Sequence, residues 1–111
     1  MRSRRGKVKK TCPLSRKLKL LSVKRSPKKD KKLRASFCKN GKIRHVDFGA
    51  KGYSDYTIHK TPSRKRRYIQ RHRSRENWKD PMGRGTLSLY VLWNKPSLKK
   101  SIEDYKRRFK L

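Results

Sequence analysis

Hydrophobic and polar residues alternate most regularly on either side of an Asn-Gly pair. Every second residue from Leu33 to Phe37 is apolar, and a similar, less regular alternation follows the pair. Strands with one buried face show this two-residue period, and Asn40-Gly41 suits a type I′ turn, which needs positive φ at both central residues. The pattern predicts a β-hairpin over residues 32–38 and 42–48.

A shorter apolar run precedes the hairpin. Leu18, Leu20 and Val23 alternate only in part because Leu21 interrupts the period, and an amphipathic helical turn fits the run nearly as well. A third strand over residues 17–24 would give the hairpin the three-stranded antiparallel sheet that independent stability requires. With two or three helices expected after this sheet, the predicted fold class is α+β.

The first predicted helix begins at Thr61-Pro62, where an N-cap residue precedes a proline at the first helical position. It runs to about Arg75 and is covered almost entirely by basic side chains. We expect only Tyr68, Ile69 and the ring of His72 to rest on the sheet, with the charge facing outward.

The last helix carries a continuous apolar stripe after a plausible N-cap at Ser97. Its members lie at helical spacing: Leu98, Ile102, Tyr105 and Phe109. Either all four pack on the sheet and on residues 87–93, or Tyr105 and Phe109 stay partly exposed and form a docking surface, since aromatic residues are enriched at interface cores. Tyr105 and Phe109 are therefore the candidate docking residues.

The most apolar stretch, residues 87–93, has a period that fits two structures. Leu87, Leu89, Val91 and Trp93 alternate as in a strand, while part of the stretch also lines one face of a helix. Periodicity leaves strand and helix open. We expect Trp93 and Trp78 to be buried anchors of one small core.

Composition divides the 111-residue chain into two parts. Every Phe, Tyr and Trp lies from Phe37 onward, and the first residues are mostly Lys and Arg. We predict an extended basic arm over residues 1–16 and a single small α+β domain over residues 17–111.

The charge of the chain limits the classes of partner that it can be expected to bind. Thirty-seven Lys and Arg residues against seven Asp and Glu give a formal net charge of +30. So many like charges repel one another within a small domain, so an acidic partner is expected: nucleic acid, an anionic membrane surface or acidic faces of other proteins. The candidate residues for this binding are Arg2, Arg4, Arg5, Lys7, Lys9, Lys10, Arg64, Lys65, Arg66, Arg67, Arg71 and Arg73.

Other chemistry finds little support in the sequence. The cysteines and histidines are single and far apart, so no metal site is expected, and neither cysteine has a nearby histidine in a nucleophile motif. No cofactor motif is present, and we expect no enzyme activity and no small-molecule substrate. No apolar run is long enough to cross a membrane, and the N-terminus lacks a secretory signal, so a reducing compartment is expected. Cys12 and Cys38 can form a bridge in principle, but in such a compartment free thiols are the expected state.

Several strings in the second half carry a family resemblance. They are residues 47–60, 66–72, 75–78, 80–82, 92–98 and 104–109, among which Glu76-Asn77-Trp78 and Leu92-Trp93-Asn94-Lys95-Pro96 are the most specific. This block resembles small basic proteins of nucleocytoplasmic large (giant) DNA viruses, such as those of algae, a family of uncharacterised function. The resemblance implies a helix at residues 84–93. Relatives carry a polar residue near the position of Leu89, so the leucine here departs from the pattern of the family. The basic arm lies outside the match.

Charge and resemblance together predict a structural component of a large DNA virus particle. The expected role is that of a minor capsid protein, whose basic arm and Arg-rich helix bind acidic neighbours among the other capsid proteins. The alternative is a sequence-independent DNA-binding or genome-packaging protein of the virion. We expect the protein in the virion after synthesis in the host cytoplasm; Arg64-Lys65-Arg66-Arg67 also fits a nuclear-localisation signal.

Overall fold

A computed structural model describes residues 12–14 and 16–111. The sheet is formed by β1 (Lys19–Arg25), β2 (Lys31–Lys39) and β3 (Lys42–Ala50). The helices are α1 (Tyr56–His59), α2 (Pro62–His72), α3 (Arg84–Leu87), which continues into a π-helical turn at Ser88–Leu92, and α4 (Leu98–Phe109). The fold is α+β, as the sequence predicts.

The predicted hairpin and third strand form one antiparallel sheet in the order β1-β2-β3. Asn40 and Gly41 adopt φ values of 52° and 77°, the backbone that a type I′ turn requires. The register pairs Leu33 with Phe48, so apolar residues of both strands share one face. The register of β1 against β2 shifts between Leu20 and Ser22, and this bulge explains why the apolar residues of β1 alternate only in part.

The core lies between one face of the sheet and the C-terminal helical segments. Phe37 and Phe48 from the sheet are buried against Leu87 and Val91. Residues 84–92 are helical. The helix is thus the correct one of the two structures that periodicity leaves open for this stretch. The π-helical turn approaches β3 closely at Gly49, where a Cβ atom would lie 2.7 Å from Leu92 Cδ1.

Helix α4 forms as predicted, but its apolar stripe is not uniformly buried. The Ser97 side chain caps the helix by accepting a hydrogen bond from the Lys100 N–H. Tyr105 is fully buried and donates a hydrogen bond to the Pro81 carbonyl, so this residue follows the alternative in which the stripe packs inside the domain, and the docking alternative is wrong for it. Phe109 is half-buried with its ring 5.5 Å from that of Tyr90, and Leu98 is exposed.

Helix α2 ends at His72, three residues before the predicted end, and it packs on aromatic rings. The Tyr68 ring stacks on Trp93, with 4.4 Å between ring centroids, and on His72 at 4.3 Å. Trp93 is thus half-buried beneath α2 and is not a fully buried anchor. Trp78 is also half-buried, and its Nε1 has no hydrogen-bond partner among the described residues.

Cys12 and Cys38 form a disulfide, which corrects the expectation of free thiols. The Cys12 N–H also donates to the Gly41 carbonyl at 3.3 Å, and the Leu14 side chain lies next to Gly41. Residues 12–14 are therefore attached to the hairpin end of the sheet, although the sequence pattern assigns them to the arm. The predicted binding residues Arg2, Arg4, Arg5, Lys7, Lys9 and Lys10 lie outside the described part of the chain.

Candidate polyanion-binding surface

The protein uses its few carboxylates inside the fold. Asp47, Asp55 and Asp104 are all buried, and each forms an ion pair with a basic side chain. Burying a carboxylate is costly unless it is paired and hydrogen-bonded, so these contacts hold the fold together. They leave few acidic groups to neutralise the cations at the surface.

Asp47 lies on β3 and joins this strand to Arg34 on β2 and to Ser26 in the β1–β2 loop. Arg34 binds it with two parallel hydrogen bonds, 2.9 Å from Nε and 3.1 Å from the terminal nitrogen, and Ser26 Oγ donates at 2.7 Å. Two-point contacts from an arginine to a carboxylate are among the stronger hydrogen bonds in proteins. Arg34 lowers the pKa of Asp47 from 3.8 to about 2, and Ser26 adds to the shift.

Asp104 performs a similar task on α4. Arg108 Nε donates to it at 2.6 Å, Asn94 Nδ2 at 2.6 Å and an Arg107 guanidinium nitrogen at 2.7 Å. Arg108 is the main cause of a pKa lowered from 3.8 to about 2. The contact with Asn94 joins α4 to the loop that follows the π-helical turn.

Asp55 caps α1 and anchors the loop after β3. Its carboxylate accepts the Thr57 N–H at 3.0 Å and the Lys32 ammonium at 2.5 Å, and the side chain is only 2% exposed. The ion pair ties the N-terminus of α1 to β2.

Lowering the pH is expected to destabilise the fold through Asp47 and Asp104. Both have a folded pKa of about 2 against an ordinary value of 3.8, so the unfolded chain takes up protons first. The stabilisation is fully present above a pH of about 4 and is lost as the pH falls through about 2. Urea unfolding midpoints at constant salt between pH 7 and pH 2 measure the effect.

The control for this prediction is the double variant Asp47→Asn with Asp104→Asn. It lacks both low-pKa carboxyls, so its midpoint should be lower at pH 7 and should change less between pH 4 and pH 2. A wild-type profile parallel to that of the variant would contradict the assignment.

Helix α2 presents arginines to solvent, as predicted. Its exposed cations, including one just past the helix end, are Arg64, Arg66, Arg67, Arg71 and Arg73. Within residues 12–14 and 16–111 none of the five forms an ion pair. Because guanidinium groups bind phosphate or carboxylate oxygens in pairs, this surface is suited to an anionic partner.

Lys65 differs from its neighbours and does not belong to the exposed set. Its ammonium donates to the Asn94 carbonyl at 2.7 Å and lies 5.2 Å from the centre of the Tyr56 ring. Burial lowers its pKa, with nearby Lys95 adding to the shift. Lys65 therefore attaches α2 to the rest of the domain.

A cleft of about 420 Å³ lies between α2 and the segment that follows β3. Arg64 and Arg71 of the helix line it, together with the stacked rings of Tyr68 and Trp93 and with Tyr53 from the loop after β3. The sequence interpretation did not identify this cleft. The sequence contains one signal of this cleft, an aromatic residue, Tyr53, in a short polar loop. In the structure its ring is 73% exposed.

The described residues include neither a metal-binding cluster nor a helix that could span a membrane. No cluster of three or more His, Cys, Asp or Glu side chains that could hold a metal ion occurs in this part of the protein. Its helices include none that is long and apolar enough to span a membrane.

The sheet and α2 are similar in sequence to a family of proteins. Residues 21–72, from β1 to the end of α2, match the model of a family of unknown function, DUF5754. This part of the chain is similar to that family and includes the sheet and the arginine surface of α2. Neither the curated proteins nor the solved structures contain a significant match.

Proposed function

We infer that the protein is a non-catalytic structural component of a large DNA virus particle, a minor capsid protein that binds acidic neighbours. The contacts would come from the exposed arginines of α2 and from the basic arm. The viral setting derives from the resemblance of residues 47–109 to basic proteins of giant DNA viruses. The acidic partner derives from the distribution of charge.

One observation carries the proposal: three of the seven Asp and Glu side chains are buried in internal ion pairs, while the exposed arginines of α2 form none with the residues that the structure describes. A free surface of this kind is costly to bring together and gains from an external anion. Association with an acidic partner therefore supplies the counter-charges that the fold itself lacks.

Exposed cations also occur on elements other than α2. The sheet has Lys19 and Lys42, and α4 has Lys99 and Lys106, all of them exposed. A protein that meets its partner on one side needs cations on that side only. Charge on several elements favours a component enclosed by several acidic neighbours, as in a particle shell.

The alternative is a sequence-independent DNA-binding protein of the virion. The observation that favours it is the concentration of arginine on one short helix, where guanidinium groups can follow a phosphate backbone. Disruption of purified particles separates the two functions. A capsid protein stays with the shell after the DNA is removed, and a packaging protein leaves with the DNA.

Changing the six basic residues of the arm to serine (Arg2, Arg4, Arg5, Lys7, Lys9 and Lys10) is expected to weaken binding to duplex DNA and to polyglutamate. Each phosphate contact contributes about 0.9 to the slope of log affinity against log salt on DNA, so the slope should fall by up to about 5. Titrations at several salt concentrations measure it.

A matched control removes six exposed lysines from the domain: Lys19, Lys24, Lys29, Lys39, Lys42 and Lys51. It has the same net charge as the arm variant. If both variants lower the slope equally, total charge alone governs binding. An unchanged slope in the arm variant would rule out the arm as a binding element.

A further inference from the structure

The cleft beneath α2 combines features that a purely electrostatic contact does not need. Its lining combines Arg64 and Arg71 with the aromatic side chains of Tyr53, Tyr68 and Trp93. A volume of about 420 Å³ lies within the usual range for small-molecule sites. Flat surface charge would be sufficient to bind an acidic neighbour, so the cleft calls for a separate explanation.

Tyr53 is the first part of that explanation. Its ring is 73% exposed, and in the described part of the chain no other ring stacks against it. Tyr68 and Trp93, by contrast, stack on each other with their planes 4° apart. An exposed ring beside a basic cleft can stack a planar group, and nucleic-acid bases stack on aromatic side chains with little sequence preference.

The two arginines supply the second part. Arg64 and Arg71 are seven positions apart, or about 10 Å along the helix, and both line the cleft. Neither forms an ion pair with any described residue. The carboxylate that also lines the cleft, Asp55, is 2% exposed and bound by Lys32, so its charge is compensated where a phosphate would enter.

We propose that this cleft binds a nucleoside phosphate, with the base stacked on Tyr53 and the phosphate held by Arg64 and Arg71. The source of that chemistry is either a single-stranded nucleic acid or a free nucleotide. A base in a duplex is already stacked between its neighbours, so duplex DNA does not satisfy the site. This goes beyond the proposed function, which requires only anionic surfaces.

The test compares ligands on the full chain by fluorescence anisotropy and calorimetry. The probes are a labelled single-stranded thymidine decamer, thymidine monophosphate, inorganic phosphate, duplex DNA and polyglutamate. Tyr53→Ala is expected to weaken decamer binding roughly tenfold, Tyr53→Phe to retain it, and binding of duplex DNA and polyglutamate to change little in either variant. Because Tyr53 is exposed, both variants should keep the wild-type unfolding midpoint.

Two arginine pairs on α2 and its C-terminal end provide a charge-matched comparison. Arg64→Gln with Arg71→Gln removes the cleft pair, and Arg66→Gln with Arg73→Gln removes two exposed cations that do not line the cleft. We expect substitution of the cleft pair to weaken decamer binding at least fivefold more than substitution of the other pair. Equal weakening by the two pairs, or unchanged decamer binding in Tyr53→Ala, overturns the proposal.

The remaining probes identify the source of the ligand. Tyr53-dependent binding of thymidine monophosphate alone assigns a free nucleotide, and dependence seen only with the decamer assigns a strand. Inorganic phosphate that binds as tightly as the monophosphate overturns the stacking step. If the site fails while salt-dependent binding to duplex DNA and polyglutamate persists, the proposed function stands without it.

Discussion

Replacing Tyr105 with alanine is expected to lower the free energy of unfolding by about 4 kcal/mol, because a large and fully buried aromatic side chain is lost from the core. Tyr105 packs with Phe37, Phe48 and Leu87, and its hydroxyl donates to the Pro81 carbonyl. In so small a domain this loss is a large part of the total stability. Chemical denaturation followed by circular dichroism measures it.

Two further variants separate packing from docking. Tyr105→Phe keeps the ring and removes one hydrogen bond, at a cost of about 1 kcal/mol. Phe109→Ala should cost less than Tyr105→Ala, because Phe109 is only half-buried. A stable, folded Tyr105→Ala variant that fails to enter particles would instead return Tyr105 to an interface role and would contradict the burial argument.

Removing the disulfide is expected to destabilise the protein by about 3 kcal/mol, the second large effect. Cys12 and Cys38 are 26 residues apart, and a crosslink over a loop of this length restricts the unfolded chain by about that amount. The double variant Cys12→Ser with Cys38→Ala tests this by denaturant unfolding. Alanine suits position 38 because that side chain is buried.

Reduction of the wild-type protein is the independent control for the disulfide. Wild type in excess reductant and the double variant should unfold at the same denaturant concentration, below that of the oxidised protein. An oxidised protein whose midpoint does not change on reduction would show that the crosslink contributes nothing. Mass spectrometry before and after alkylation establishes the thiol state in each sample.

The hairpin could be predicted because its signals are local. The two-residue period of β2 and the Asn40-Gly41 turn act within a few residues, and no distant contact opposes them. The same is true of α4, whose cap and stripe agree. The end of α2 could not be predicted in the same way, because the run of basic residues continues to Arg75. The last residue of the helix whose ring stacks on another aromatic ring is His72, and the helix ends there.

The disulfide could not be predicted from the sequence because it depends on long-range geometry. Nothing near Cys12 indicates that the chain passes the hairpin end, and two isolated cysteines in a reducing compartment are more often free thiols. Only when β2 and β3 are paired does the Gly41 carbonyl lie where the Cys12 N–H can reach it. The burial of Tyr105 has the same origin, since a helical stripe does not tell how much of it the rest of the fold covers.

By itself, the sequence determined the α+β class, the hairpin of β2 and β3, the arginine-covered α2 and the cationic surface, because periodicity, turn residues and charge are properties of short segments. Only the tertiary structure decided that residues 84–92 are helical and that Tyr53 lines a basic aromatic cleft. It also decided that Asp47, Asp55 and Asp104 are buried in ion pairs inside the domain. Each of these depends on residues distant in sequence. Their burial and charge compensation exist only once the sheet and the helices have packed together.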